Sequence, residues 1–199
     1  IFSFITFKAF TEEQFTFDVT EIFITDNGNK FKGYNKGTIK TNDGIIINAN
    51  QFEYDKILNI LNAQGNVKVK DNPKDIIITA DEIIYYKNDE KILTKGKSVA
   101  ENQNIKIKAD ELKYEKTKNI LNAKGNVEII NKLKDFIIFA EDVTYEKNSE
   151  KIYTTGLTKA NFQSKYKFET RNIILLNDEM VLSSLDDAKI LTYKNTLYK

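Results

Sequence analysis

The chain repeats itself about every 30 residues, and this repeat limits its fold more than any other feature. Each copy has an alanine, two acidic residues, an apolar residue, a spacer and a tyrosine, as in ADEIIY (80–85), ADELKY (109–114) and AEDVTY (140–145). The alanine position falls at Val19, Ala49, Ala80, Ala109, Ala140 and Thr170, so successive copies lie 29 to 31 residues apart. A fixed period of this length is typical of stacked supersecondary units. The sequence therefore predicts about six units.

Glycine marks a second fixed position in the repeat. Gly65, Gly96, Gly125 and Gly156 each follow their alanine by 16 residues, whereas the distance from glycine to the next alanine varies from 13 to 15. We expect a rigid hairpin followed by a loop of variable length. Small residues at fixed positions in strands typically mark bends or a close approach of two backbones.

Within each unit the apolar residues alternate with polar ones. Ile45, Ile47 and Ala49 show this pattern, which recurs at 76–80, 105–109 and 136–140, with return strands around 61–69 and 119–129. Period-two alternation predicts strands that are buried on one face. The phase slips at Asp110-Glu111, which indicates a bulge or corner. We expect an all-β protein of roughly twelve strands, in two layers whose apolar faces oppose each other.

Composition removes most kinds of catalytic site. The 199 residues include no His and no Cys, which excludes disulfides, cysteine nucleophiles, Ser-His-Asp triads and the usual zinc and haem ligands. A net charge of +1 gives no global attraction to nucleic acid. The acidic pairs at 81–82, 110–111 and 141–142 recur, whereas an active site is needed once. They are predicted to be solvated corners, and we expect no catalytic residue, metal or cofactor.

Four tyrosines recur with the repeat, at Tyr54, Tyr85, Tyr114 and Tyr145. Their regular spacing favours packing or rim positions over a ligand cage.

The first ten residues, IFSFITFKAF, are mostly apolar and precede the acidic pair Glu12-Glu13. They fit either the remnant of a signal peptide or the first strand of the fold. No stretch reaches the ~18 apolar residues of a membrane-spanning helix. The predicted organisation is a signal-peptide remnant at 1–10 and one β domain at 11–199.

The repeated A-D/E-E-x-x-Y motif, followed by I-L-x-A-x-G-N-V, resembles the OstA-type repeat of lipopolysaccharide transport proteins. That family includes the periplasmic bridge protein LptA, the tethered LptC and the N-terminal domain of LptD. The segment FTFDVTEIFITDNGNKFKGYNKGTI, at 15–39, is most similar to the LptD N-terminal domain. The resemblance covers about residues 15–190.

The resemblance implies a V-shaped, twisted β-jellyroll in the periplasm, associated with the outer membrane. It implies a domain that shields the acyl chains of lipopolysaccharide in an apolar groove and passes the lipid to the outer-membrane assembly machinery. It implies no enzyme activity and no nucleic-acid partner. The candidate groove residues are apolar residues of the inner phase: Ile78, Ile107, Leu121, Val127, Ile138 and Ile152.

The N-terminal unit predicts a docking edge. Its segment FTFDVTEIFIT carries few charges, and the apolar side chains are Phe15, Phe17, Val19, Ile22 and Ile24. A free strand edge aggregates unless it is blunted or paired, and pairing with a partner strand is β-augmentation. We expect LptA or another Lpt jellyroll to pair with this edge.

Three alternatives remain open from the residues alone. A structural or adhesive β-solenoid would show the same repeat, with a solid core and no lipid ligand. A polysaccharide-active enzyme would need one carboxylate cluster that breaks the repeat. A piece of an outer-membrane barrel would also alternate, although the absence of Trp and the dense charged turns weigh against it.

Overall fold

Antiparallel β-strands form nearly all of this computed structural model, which describes residues 15–192 and 197–198. The strands are β1 (Phe15–Thr25), β2 (Lys30–Thr41), β3 (Ile45–Ala49), β4 (Gln51–Asp55), β5 (Ile60–Asp71), β6 (Ile76–Tyr86), β7 (Lys91–Lys95), β8 (Ser98–Glu101), β9 (Ile105–Ala109), β10 (Glu111–Glu115), β11 (Ile120–Asn131), β12 (Phe136–Glu146), β13 (Lys151–Thr155), β14 (Leu157–Phe162), β15 (Tyr166–Arg171), β16 (Ile173–Leu176), β17 (Val181–Ser184), β18 (Lys189–Thr192) and β19 (Leu197–Tyr198). A single 3-10 turn, Asp26–Gly28, joins β1 to β2. The predicted signal-peptide remnant at 1–10 lies outside the described residues.

Between residues 15 and 192 the chain crosses the fold twelve times, and each crossing covers 11 or 12 residues. Six crossings are single long strands: β1, β2, β5, β6, β11 and β12. The other six are each divided midway into two short strands, as β3 and β4 are. The predicted number of about twelve strands is therefore confirmed as twelve crossings. The structure has more strands because half of the crossings are interrupted.

The two halves of each crossing belong to different layers. In β5, Leu61 pairs with Tyr54 of β4, whereas Val69 pairs with Ile47 of β3. We call the layer that contains β4, β7, β10, β13, β16 and β17 the first layer. The layer that contains β3, β8, β9, β14, β15 and β18 is the second layer. The layers face each other, since the ring of Phe15 in the second layer lies 4.7 Å from the ring of Tyr54 in the first.

A corner joins the two layers, and the repeated glycines form it. Gly125 and Asn126 have φ values of +77° and +49°, and the pairing of β11 with β12 shifts register at this point. The Asp110 N–H donates to the Gly125 carbonyl over 2.9 Å. Asp81 and Gly96 make the same bond at 3.0 Å. The glycine position is thus a left-handed bend, and the first acid of each of these pairs lies beside it, as predicted.

The opposite edge, where loops from the two layers meet, we call the mouth. Between corner and mouth, the inner face of each strand is buried in the alternating pattern that the sequence predicts, as in Ile45, Ile47 and Ala49. The predicted strands at 45–49, 76–80, 105–109 and 136–140 and both return strands are confirmed. The described residues contain no helix that is long and apolar enough to span a membrane.

Candidate functional site

The six predicted groove residues all lie between the two layers. Ile78, Ile107, Val127 and Ile138 project from the second layer, and Leu121 and Ile152 project from the first. Each side chain is at most 4% exposed and belongs to one continuous apolar core. The side chains fill the interior in this structure. Whether any of them contacts a ligand stays a prediction.

One small opening reaches this core from the mouth. It holds about 20 Å³, roughly the room that one water molecule needs. Ile107 and Leu121 lie on its floor, so the structure brings two of the predicted groove residues together here. Other lining residues are Ile76, Ala100, Glu101, Asn102, Ile105, Asn119, Tyr145 and Lys147. We call this opening the cleft.

Side-chain bonds close the mouth on one side of the cleft. The Lys87 ammonium group lies 2.7 Å from Oδ1 of Asp43, and the Lys116 ammonium group contacts Oδ2 of the same carboxylate. The two lysine side chains are only 9% and 8% exposed. Burial would raise the pKa of Asp43, but hydrogen bonds from Lys116, Lys87 and Thr41 hold it well below its usual range. Two nearly buried cations from the first layer therefore share one carboxylate of the second.

Further along the mouth, two more lysines bridge the layers. The Lys147 ammonium group contacts the carbonyl oxygen of Lys74 and lies 3.3 Å from that of Asp75. Lys134 bridges in the other direction, from the second layer to the Asn177 carbonyl at 2.5 Å and the Asp178 carboxylate at 3.3 Å. Loops of opposite layers are thus bonded on both sides of the cleft.

The tyrosines lie just beneath the mouth, as the packing interpretation predicted. The Tyr114 hydroxyl donates to Asp71 at 2.9 Å, and the Tyr145 hydroxyl donates to Glu150 at 2.9 Å. Burial, together with neighbouring carboxylates, raises the pKa of Tyr85, Tyr114 and Tyr145 well above the usual range, so these phenols stay protonated. In the described residues the Tyr85 hydroxyl is buried without a hydrogen-bond partner.

The predicted docking edge is the outer strand at the N-terminal end of the described fold. β1 pairs with β2 along its length, with a bulge between Val19 and Glu21. Phe15, Phe17 and Val19 point inward and pack against the core. Beyond the bulge, Ile22 and Ile24 face the same side but remain 44% and 57% exposed.

The lysines of the mouth were not predicted from the sequence. A signal was present, because lysine recurs seven residues after the alanine position at Lys56, Lys87, Lys116 and Lys147. A hollow of about 420 Å³ on the outer face of the first layer, around Ile84 and Leu93, was not predicted either. Its charged rim mixes signs, with lysines at 95, 113 and 124 and acids at 82, 111 and 142.

The acidic pairs of the repeat do not form a joint site. Asp81 and Asp110 lie beside separate corner glycines, and Asp110 accepts a hydrogen bond from Asn126 at 2.8 Å. The described residues include no group of His, Cys, Asp or Glu that could hold a metal ion.

Comparisons with known proteins agree with this architecture. The family model for the LptA/LptD N-terminal domain LPS transport proteins matches residues 46–151, just over half of the 199 residues. Among the solved structures that match is LptH of Pseudomonas aeruginosa, described as the LptA-homologous periplasmic component of the conserved lipopolysaccharide transport device. The TM-score is 0.53 at 12% identity, over 58% of this chain and 93% of that one, so this likeness shows the fold. No curated protein sequence matches the chain. The family predicted from the repeat is confirmed, and the chain belongs to the LptA/LptD N-terminal domain family of lipopolysaccharide transport proteins.

Proposed function

We propose that this protein is a periplasmic carrier domain that shelters the acyl chains of lipopolysaccharide between its two layers and leaves the sugar headgroup in water. The observation that carries the proposal is the meeting of Ile107 and Leu121 at the floor of the cleft, in a chain of a lipopolysaccharide transport family. An apolar interior favours acyl chains by ~0.8 kcal/mol for each CH₂ group removed from water. Transfer of this kind requires no bond to be broken, which agrees with the proposal that the domain is not an enzyme.

The closed core also fits the alternative, a structural β-solenoid without a ligand. That alternative requires a permanently solid interior, whereas a carrier requires the layers to separate at the mouth. The mouth is held by side-chain bonds, and the corner by continuous backbone. Membership of the lipopolysaccharide transport family favours the carrier. So does the difference between the mouth, which side-chain bonds hold closed, and the corner, which continuous backbone holds.

Photo-crosslinking tests the carrier directly. A small diazirine residue at Ile107, which is 1% exposed, is expected to capture lipopolysaccharide. The same residue at the neighbouring Lys106, whose side chain is 45% exposed on the outer face, is expected to capture little. Equal labelling at both positions, or none at Ile107, would favour the solid solenoid.

We also propose that β1 docks an LptA-like jellyroll and that lipid passes along the joined domains toward the outer-membrane assembly machinery. Ile22 and Ile24 support this, because they present the inner apolar face of β1, the outermost strand at the N-terminal end, to solvent. A partner strand added beside β1 would continue both the ladder and the core. We propose from this docking that the protein works on the periplasmic side of the outer membrane.

Charge at this edge should disrupt docking without unfolding the domain. Ile24→Lys is expected to weaken binding of an LptA-like partner at least about tenfold, because it places an ammonium group on the apolar contact. Leu133→Lys is the matched control, since Leu133 is an exposed apolar residue in a loop away from β1. Equal effects of the two changes in a pull-down titration would place the docking edge elsewhere.

A further inference from the structure

A column of lysines runs along the mouth in register with the repeat. Lys56, Lys87, Lys116 and Lys147 occupy the same position in four consecutive units. Each unit contributes two crossings, and strands stack at about 4.8 Å. The backbones of neighbouring lysines in the column are therefore roughly 10 Å apart. Lys56 is exposed, and the other three bind groups of the opposite layer.

The column is not fully neutralised. Lys87 and Lys116 share Asp43, which leaves one carboxylate for two ammonium groups. Lys147 is bound by the carbonyl oxygens of Lys74 and Asp75, and no carboxylate of the described residues lies within 4 Å of its ammonium group. Lys147 is therefore the member of the column whose ammonium group is bound by neutral acceptors only.

The Lys147 end of the column lies at the apolar cleft, where the carboxylate of the lining residue Glu101 is paired with Lys106. Lys147 and Asn119 are on its rim, and Ile107 and Leu121 form its floor. Asn119 is 8% exposed, and its side-chain oxygen has no partner among the described residues. A cation at the rim, with aliphatic side chains below, matches an amphiphile that has an anionic head and an acyl tail, and the free acceptor of Asn119 suits a hydroxyl group of such a head.

We propose that the lysine column binds the phosphate groups of an acyl-chain lipid, with Lys147 as the first site. This rests on the proposed carrier function and adds to it a headgroup site. The exchange at Lys147 is favourable because a phosphate oxygen attracts the ammonium group by Coulomb interaction, whereas its present acceptors are uncharged carbonyl oxygens. At Lys87 and Lys116 the phosphate competes with Asp43, so those sites bind it more weakly. Equivalent lysines one unit apart would let a headgroup step along the mouth while its tail stays in the interior.

Two probes with the same tail separate headgroup recognition from tail burial. Dodecyl phosphate and dodecyl maltoside, both below their micelle concentrations, are titrated calorimetrically against the whole protein and its variants. In the wild type we expect tighter binding of the phosphate. In Lys147→Gln this preference is expected to fall about five- to tenfold, while maltoside affinity does not fall, because loss of the Lys147 bonds to the opposite layer does not hinder tail entry. Lys118→Gln is the matched control, because Lys118 lies in a neighbouring loop, is 64% exposed and pairs with Glu115.

A second variant is expected to change the preference in the opposite direction. Asp43→Asn releases Lys87 and Lys116, so the preference for dodecyl phosphate should rise and should weaken with added salt. Circular dichroism checks that each variant is folded. An unchanged preference in both Lys147→Gln and Asp43→Asn would overturn the headgroup site while leaving the carrier function intact. If the wild type binds neither probe and Ile107 captures no lipid, the carrier function itself is wrong.

Discussion

Replacing a corner glycine tests whether glycine recurs at this position because a larger side chain does not fit there. Gly125 has φ +77°, and a Cβ there would lie 2.5 Å from Oδ2 of Asp110 and 3.1 Å from its Cβ. Gly156 has nearly the same backbone, φ +82°, but a Cβ there meets no atom within 4 Å. The two glycines therefore separate the cost of the left-handed backbone from the cost of the contact with Asp110.

The magnitudes follow from these two terms. Alanine in the left-handed region costs about 1–2 kcal/mol, and this applies to Gly125→Ala and Gly156→Ala alike. Gly125→Ala must also displace the Asp110 side chain and break its bond to Asn126, which adds about 0.5–1.5 kcal/mol. We expect destabilisation of about 1–2 kcal/mol for Gly156→Ala and about 1.5–3.5 kcal/mol for Gly125→Ala. The smaller entropy of the unfolded chain with alanine affects both variants equally and cancels in the comparison.

Urea unfolding followed by far-UV circular dichroism measures the difference. Asp110→Ala provides a double-mutant cycle, because Gly125→Ala should cost less once the aspartate is shorter. The reasoning is refuted if the two glycine variants are equally destabilised, or if Gly125→Ala and Asp110→Ala are strictly additive. Equal m-values are required for the comparison, since a stack of repeats can unfold in parts.

Two further predictions concern the mouth. Tyr85→Phe should be neutral or stabilising by up to about 1 kcal/mol, because the hydroxyl has no partner among the described residues. Tyr114→Phe should cost about 1–3 kcal/mol, because it leaves Oδ2 of buried Asp71 without its donor. Equal urea midpoints for the two variants would contradict this. The lowered pKa of Asp43 means that its stabilising contribution is complete above the ordinary aspartate value of about 3.9 and is lost as the pH falls below it. Asp43→Asn should therefore lower the melting temperature at neutral pH, and its melting temperature should fall less than that of the wild type as the pH is lowered. If the melting temperatures of the two proteins fall in parallel with pH, Asp43 does not cause the loss of stability in acid.

The strands and the corner could be predicted because both depend on local rules. Alternation over as few as five residues, as in Ile45, Ile47 and Ala49, fixes which face is buried. The glycine position could be predicted because a left-handed bend excludes most other residues. Asn35, which fills that position in the first unit, has φ +60°, and asparagine tolerates this conformation better than most residues. The division of six crossings into two strands was not predicted, because it depends on how strongly each crossing bends.

The bonds across the mouth could not be read from the sequence, although the lysines that make them recur visibly. Lys87 and Lys116 lie 44 and 73 residues after Asp43. Those separations depend on how far one layer is offset against the other along the stack, and no local pattern encodes that offset. The sequence predicts that the side chains of Ile107 and Leu121 point inward. That the two side chains lie together beneath Lys147 depends on the same offset between the layers.

Among the described residues, the bonding pattern favours separation of the layers at the mouth over separation at the corner. Long strands such as β5 and β11 run unbroken through the corner, so opening there would require the backbone ladders of both layers to be disrupted. At the mouth, opening next to the cleft requires Lys147 to leave two carbonyl oxygens, and both acceptors can then bind water. The Asp43 cluster costs more to open, because its two lysines are nearly buried and share a carboxylate. Opening should therefore begin at Lys147, where the cleft already reaches Ile107 and Leu121, and spread toward Asp43 only as a bound tail replaces the lost contacts of the core.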